Sequence, residues 1–341
     1  MSLLVLSAQD VDTITAALPS AELEALMASV FHRLSSGSHY ASPQRTSIAM
    51  SHHTALFMPS RIKDIGTAIK VVSVPTSADD KRGLPASTIL LDEESGRVEA
   101  IVNASALTAL RTAAGSVLAT RLLLSEPPSS LVAFGAGKQI EAHVDLHIRA
   151  FPSLKRCTIV NRSMNARLEN LLSVLRQSHP LVSLEGLVLD DTTNVRSAVG
   201  HAHVICTATS TTQPLFPSEW VSPGTHLNLV GSFNPSMVEV DCGLISRAEM
   251  IVVDSIEACR IEAGELITAG LNAGDMIEIG RLVEKRDYKD GLEEIQMRKG
   301  DVTVFKSVGI GLQDVAIARY VVSKAENLGI GTTVVDFHTG R

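Results

Sequence analysis

Apolar positions along this chain recur first at helical spacing and then in short strand-length runs separated by helical stretches. Leu3–Leu6 is a brief apolar run that predicts a first strand. Leu23, Leu26, Met27, Val30, Phe31 and Leu34 fall on one stripe and predict a helix over residues 20–35. Residues 45–50, 67–74, 87–91 and 97–102 read as extended, the last two joined by the turn-like Asp92-Glu-Glu-Ser-Gly96. An Ala/Leu-rich helix over 105–124 follows, with Ser105 as its N-cap. Glu126-Pro-Pro-Ser-Ser130 breaks it and marks a domain boundary.

From Leu131 the texture changes to strand–helix alternation, with strands expected at 131–134, 158–160, 182–189, 204–207, 226–230, 250–253 and 302–305. That alternation predicts a parallel, doubly wound sheet. A final helix over 312–328 carries Val315, Ala318, Val322 and Ala325 on one stripe, and a strand-like tail covers 332–337. The parallel sheet is complete without them, so both are expected to return to the first domain. The fold class is therefore α/β, a Rossmann doubly wound domain over 126–311 beside an α+β domain over 1–125 with 312–341 returning. The segments 52–59, 74–84 and 233–237 are expected as loops, and the charge run Asp79-Asp-Lys-Arg82 as a solvated one.

Composition changes this picture little. A chain of 341 residues with 45% hydrophobic and 20% charged residues suits two globular domains. A net charge of −7 argues against a nucleic-acid or anionic-membrane partner. No run approaches the roughly 18 apolar residues of a membrane span, and the N-terminal apolar run lacks the basic flank and length of a signal peptide. The four cysteines, at 157, 206, 242 and 259, are widely spaced, so free thiols in a cytoplasmic compartment are expected. The 11 histidines are scattered, and His52-His53 has no acidic cluster beside it, so no metal is expected.

Candidate chemistry begins at Leu131-Val-Ala-Phe-Gly135-Ala-Gly137-Lys-Gln-Ile-Glu-Ala142, a hydrophobic strand running into a glycine-rich turn and a helix. Gly135 permits the tight turn and Gly137 lets the backbone approach a pyrophosphate on the helix N-terminus, with Ala136, Lys138 and Gln139 beside it. The third glycine is replaced by Glu141 or Ala142, depending on register. The next expected strand ends in Asn161-Arg162-Ser163. A carboxylate there would accept from the ribose hydroxyl of NAD. Arg162 instead pairs with a 2′-phosphate, and Asn161 and Ser163 hydrogen-bond to it, so NADP(H) is the expected cofactor.

Three cations break local rules in the first domain. Lys70 interrupts Ala68-Ile-Lys-Val-Val-Ser-Val74, a strand that reads as apolar on both faces, and a buried lysine needs an anion. Arg111 shares the helical stripe of Leu107, Ala114 and Leu118. Arg45 opens an extended run after Pro43-Gln44, where snorkelling at a core edge explains it as well as a site does. Together they suit a substrate carboxylate.

These residues resemble the ornithine cyclodeaminase and mu-crystallin family. The resemblance covers nearly the whole chain: Arg45 after Pro-Gln, Lys70 in its strand, Ala109-Leu-Arg-Thr-Ala-Ala114, Gly135-Ala-Gly-Lys-Gln139, Thr207-Ala-Thr-Ser210, Gly224-Thr-His-Leu-Asn-Leu-Val-Gly-Ser232 and Phe305-Lys-Ser-Val-Gly309. It implies a homodimer built by the first domain and a small imino or amino acid held between domains. Arg45, Lys70 and Arg111 would hold the carboxylate with Val308 beside it, Lys70 and Arg111 being the catalytic candidates. Thr88, Arg111, Thr112, Lys138, Gln139, Thr207, Ala208, Thr209, Leu227, Asn228, Leu229, Val230 and Ser307 would contact the cofactor. Asn161-Arg162-Ser163 is similar to the NADPH-using mu-crystallin version. True cyclodeaminases carry an aspartate where this chain has Phe233, which exchanges no proton. Ile140 stands where the family usually has alanine.

The expected function is NADPH-dependent reduction of a carboxylate-bearing ketimine or cyclic imino acid, or the reverse amino-acid dehydrogenation: an oxidoreductase acting on CH–NH or C=N bonds. The rival readings are a deaminating cyclodeaminase-type lyase and a non-catalytic, NADPH-gated binding protein of crystallin type. Any proton donor would be Lys70 or a water. Glu262 and Glu265 read as acids near the site or, more simply, as a solvated helix turn.

Overall fold

The computed structural model describes residues 2–77, 83–248, 250–286 and 301–338; the expected charged loop at 79–82 lies outside them. The chain divides into two compact units, Met1–Arg111 with Gly309–Arg341, and Thr112–Val308. The sequence pattern suggests boundaries at 125/126 and 311/312. The compact division falls inside a helix after Arg111, and again after Val308.

The first unit opens with β1 (Leu3–Leu6), α1 (Ala8–Ala16) and α2 (Ser20–Ser36). Ser7 and Asp10 close a reciprocal cap on α1, and Leu23, Met27, Val30 and Phe31 form the buried stripe of α2. The strands β2 (Tyr40–Ala41), β3 (Thr46–Ala49), β4 (His53–Ile62), β5 (Gly66–Pro75), β6 (Ala86–Leu91) and β7 (Val98–Asn103) come next, and then α3 (Ser105–Leu123).

β4 corrects the expected loop at 52–59. It is a ten-residue strand, antiparallel to β5 from His53 opposite Pro75 to Ile62 opposite Gly66. Pro59 hides it from a pattern reading. That proline sits between the stretch that pairs with β3, residues 54–57, and the stretch that pairs with β2, residues 61–62. There β4 lacks a second neighbour, the place where a sheet tolerates a residue with no N–H.

The second unit mostly alternates strand and helix: β8 (Ser130–Phe134), α4 (Lys138–Ala150), β9 (Arg156–Asn161), α5 (Ala166–Ser178), β10 (Ser183–Val188), α6 (Thr192–Gly200), β11 (Val204–Thr207), β12 (His226–Leu229), α7 (Cys242–Arg247), β13 (Ile251–Val253), α8 (Ile256–Glu262), α9 (Gly264–Thr268), β14 (Met276–Glu278), α10 (Ile279–Arg286) and β15 (Thr303–Lys306). Its sheet runs β10-β9-β8-β11-β12-β15-β13-β14, every pairing parallel. β8, β11, β12 and β15 are buried along their whole length, as strands covered on both faces must be. The order reverses between β8 and β11, the Rossmann arrangement, whose ligands bind at the carboxyl ends of the strands beside that reversal.

The chain then returns to the first unit through α11 (Gly311–Leu328) and β16 (Thr332–Val334), which pairs antiparallel with β1. The strand-like tail is shorter than its pattern suggests. The completed sheet runs β16-β1-β7-β6-β5-β4-β2, with β3 also on β4, and α11 packs on β4, β5 and β6. Among the described residues no single helix is long and apolar enough to cross a membrane.

A buried polar network inside the second unit carries a stability prediction. His143 donates Nδ1–H to Gln139 O at 2.7 Å and takes Ser116 Oγ at 2.9 Å on Nε2. His147 repeats the pattern one turn on, with His143 O at 2.7 Å and Thr120 Oγ1 at 3.1 Å. Asn228 donates to Thr120 at 3.0 Å and receives His226 Nε2 at 3.2 Å. Burial pushes His143 down to about 4 and His147 to about 3, the latter helped by the charges of His143, His226 and Arg121. Both folded values lie below the roughly 6.5 of an exposed histidine, so below that pH the unfolded chain binds more protons. Stability is therefore expected to fall as pH drops from about 6.5 toward 4, with a slope approaching about 2.7 kcal/mol per pH unit for two protons. Urea unfolding at a series of pH values checks this; a flat profile between about pH 7 and 5 would contradict neutral buried histidines.

Candidate functional site

In the first unit the two rule-breaking cations meet a carboxylate that pattern reading passes over. β5 alternates buried and half-buried positions, and Lys70 shares the buried face with Ala68 and Val72. The strand is thus one-sided, where the sequence reads as apolar on both faces. In register, Lys70 lies opposite Met58 on β4 and Thr88 on β6, so the three form one row across the sheet under α11. Asp314, in the first turn of α11, places Oδ2 2.7 Å from Lys70 Nζ and Oδ1 3.1 Å from Arg111 Nε. Arg111 also donates to Gln313 Oε1 at 2.9 Å, and Gln313 Nε2 donates back to Arg111 O at 3.4 Å. Gly309 closes the clamp: its φ of +83 suits glycine, and a Cβ there would stand 2.7 Å from an Arg111 nitrogen.

The charges do not balance. Lys70, Arg111 and Asp314 are only 2%, 4% and 3% exposed, and among the described residues the two cations share one carboxylate. Burial pushes Lys70 down to about 8; Asp314 holds it up, while the charges of Arg111 and Arg45 press it further down. Arg45, half-buried just before β3, therefore adds a third positive charge within electrostatic reach. An excess of positive charge in a dry site calls for a further anion, and a planar carboxylate suits the donor geometry of guanidinium and ammonium.

In the second unit the glycine turn has the shape a dinucleotide needs. Gly135 has φ +117, and a Cβ there would lie 2.9 Å from Ala208 O, so the turn admits glycine alone. Gly137 is the N-cap of α4, has no side-chain cap, and a Cβ built on it meets nothing within 4 Å. The cradle is open where a pyrophosphate would rest on the first-turn amides. Gln139 Oε1 is buried beside it with no hydrogen-bond partner among the described residues. Ile140 is fully buried behind the turn and Ala136 nearly so, while Lys138 is exposed and paired with Glu141 at 2.8 Å. At the end of β9, Asn161 Nδ2 donates to Ser163 O at 2.9 Å and Asn165 Nδ2 to Ser163 Oγ at 3.1 Å, leaving Arg162 exposed at the tip. These residues fit a dinucleotide.

Other expected contacts are placed less openly. Thr207 donates to Glu239 Oε2 at 2.7 Å, and Thr209 and the Gly231 N–H bind the same carboxylate. Burial pushes Glu239 up, and Lys306 opposes this. The side chains of Leu227, Leu229 and Val308 belong to the apolar core, and Asn228 to the histidine network. Thr112 is buried, Val230 and Ala208 are half-buried, and Ser307 donates to Asp254 at 2.8 Å. Phe233 is half-buried, with no proton to exchange. Glu265 is no solvated turn residue: it is 1% exposed and lies 2.9 Å from Lys306 Nζ. Asp314, Gln313, Lys306 and Ser232 carry the polar framework unanticipated. The available signals were the polar pair Gln313-Asp314 inside an apolar helix and a second lysine inside an apolar strand.

Comparison with known proteins agrees with this geometry. The sequence profile described as "Ornithine cyclodeaminase/mu-crystallin family" matches residues 2–328. The chain is 30% identical over 294 residues to a Delta(1)-pyrroline-2-carboxylate reductase of Bacillus cereus, covering 84% of this chain and 86% of that one. It is 34% identical over 238 residues to the ketimine reductase mu-crystallin of Mus musculus, covering 69% and 68%. In fold it resembles the Thermococcus litoralis Delta(1)-pyrroline-2-carboxylate reductase solved with NADH and L-proline, with a TM-score of 0.83 at 24% identity, covering 97% of this chain and 100% of that one.

Proposed function

The chain belongs to the ornithine cyclodeaminase/mu-crystallin family, and from that membership we propose that it is an NADP(H)-dependent oxidoreductase that reduces a small, carboxylate-bearing imine, a ketimine or cyclic imino acid, or oxidises the matching amino acid. The observation that carries the reading is the buried pair of cations Lys70 and Arg111, which among the described residues share the carboxylate of Asp314. Relatives named for reducing pyrroline-2-carboxylate and ketimines support the class of substrate. The cofactor, when bound, supplies the hydride. Gly135 to Gln139 would hold its pyrophosphate.

The chain's own contribution is binding and orientation. Arg111, locked by Asp314, Gln313 and Gly309, presents its guanidinium to the substrate carboxylate. Lys70 and Arg45 complete the counter-charge. A protonated imine arrives with its proton, and Lys70, at about 8, still holds one near neutral pH. Phe233, standing where a cyclodeaminase needs an acid–base group, weighs against deaminating cyclisation. A homodimer through the first unit and a reducing, cytoplasmic compartment belong to the same proposal. Exposed Ile48 and Met50 offer apolar surface for the first, and four free cysteines suit the second.

NADP(H) rather than NAD(H) rests on Arg162 exposed between Asn161 and Ser163 with no carboxylate at the end of β9. The test is oxidation of NADPH or NADH by purified protein with pyrroline-2-carboxylate and piperideine-2-carboxylate. NADPH is expected to exceed NADH in kcat/KM by at least about tenfold, and Arg162→Ala to bring the two within about threefold. Saturable NADPH binding without turnover of any imine would replace this reading with the binding protein.

A further inference from the structure

A second set of buried charges lies at the carboxyl ends of β12 and β15. Lys306, the last residue of β15, is 0% exposed. Its Nζ lies 2.9 Å from Glu265 Oε1 and donates to Ser232 Oγ at 2.8 Å, and Ser232 donates in turn to Glu265 Oε2. Ser232 follows β12, and Glu265 sits in α9. One residue earlier, the Gly231 N–H is fixed by Glu239, which also holds Thr207 at the end of β11 and Thr209 just beyond it. The segment 230–233 is therefore tied at two consecutive residues to buried carboxylates.

Such a network contributes little net stability, since an apolar trio of similar volume would serve the core as well. What it does supply is a fixed geometry, because Lys306 is held by both Ser232 and Glu265 while Ser232 in turn binds Glu265. Its place says what the geometry serves. In a doubly wound sheet the adenosine half of a dinucleotide lies toward the second strand, here β9, and the other mononucleotide half lies across the order reversal, toward β11, β12 and β15. The tied segment stands on that nicotinamide side.

We infer that Lys306, acting through Ser232 and Glu265, is a positioning residue that fixes segment 230–233 as the support for the nicotinamide end of the cofactor. This rests on the dinucleotide reading above. The consequence is asymmetric: loosening the segment disturbs the reacting ring and leaves the adenosine end alone.

The experiment compares wild type, Ser232→Ala and the double variant Lys306→Met/Glu265→Leu, which removes both charges together. Each is titrated with NADPH and with 2′,5′-ADP, which lacks the nicotinamide, and assayed for kcat and KM with an imino acid. Both variants are expected to lose at least about tenfold in kcat with imine KM little changed, since small misplacement of a reacting group is costly. NADPH affinity should fall relative to 2′,5′-ADP affinity, which stays within about twofold of wild type. Ser232→Ala serves where the double variant fails to fold. A folded Ser232→Ala protein with wild-type kcat and wild-type affinity ratio overturns the assignment, as does parallel loss of both ligands. Wild-type protein that binds neither ligand overturns the dinucleotide reading, and this assignment with it.

Discussion

Gly137→Asp is expected to raise the dissociation constant for NADPH at least about a hundredfold, near 2.8 kcal/mol, without lowering the melting temperature. Aspartate is a favoured N-cap residue, and the backbone at Gly137, φ −96 and ψ 179, is one that any residue adopts. Its Cβ would enter open space. The new carboxylate can cap α4 and so occupies the place, and supplies the charge, that a pyrophosphate would bring. Two positions earlier the outcome reverses. At Gly135 a side chain faces both a positive φ and the Ala208 carbonyl, so Gly135→Ala is a folding defect first and a binding defect second. Calorimetric titration and thermal melting of the two variants separate cradle from turn. Unchanged NADPH affinity in Gly137→Asp would mean that no phosphate rests on α4.

The contrast between those glycines explains which parts of the molecule are legible in sequence. The Rossmann unit is read from local signals: strands buried on both faces appear as apolar runs, and the glycine turn states its own backbone requirement. β4 escapes the same reading because Pro59 looks like a break until its neighbours are known, and a proline is harmless only where a strand lacks a partner. α1, only nine residues long, goes unread in the sequence although the Ser7–Asp10 cap marks its start. In the site, Lys70 and Arg111 stand out as cations where apolar residues belong, but their partner does not. An acid in the first turn of a helix is ordinary complement to its dipole, so Asp314 looks innocent until the return of α11 brings it over β5. Lys306 breaks the same rule as Lys70, and its buried partner, Glu265, is disguised as a polar turn in Glu262-Ala-Gly-Glu265.

The excess charge in the first unit makes the strongest demand on catalysis. Lys70→Met is expected to lower kcat/KM for an imino acid by at least about a hundredfold and to leave NADPH affinity unchanged. Methionine keeps the length and packing of the lysine stem while removing its charge, and Asp314 retains Arg111 as a partner, so no anion is stranded. Lys70 also supplies a signature in pH. Its folded value of about 8 lies below that of an ordinary lysine because burial outweighs Asp314, so the ammonium is charged at neutral pH and neutral well above it. Deprotonation removes one of the charges that hold the substrate carboxylate. Wild-type kcat/KM should therefore fall as pH rises through about 8, and Lys70→Met should lose that limb along with its activity. Asp314→Asn takes away the carboxylate that supports the ammonium, so the limb should move to lower pH. Profiles of kcat/KM against pH for the three proteins decide the matter: a limb that persists in Lys70→Met, or stays in place in Asp314→Asn, belongs to some other group.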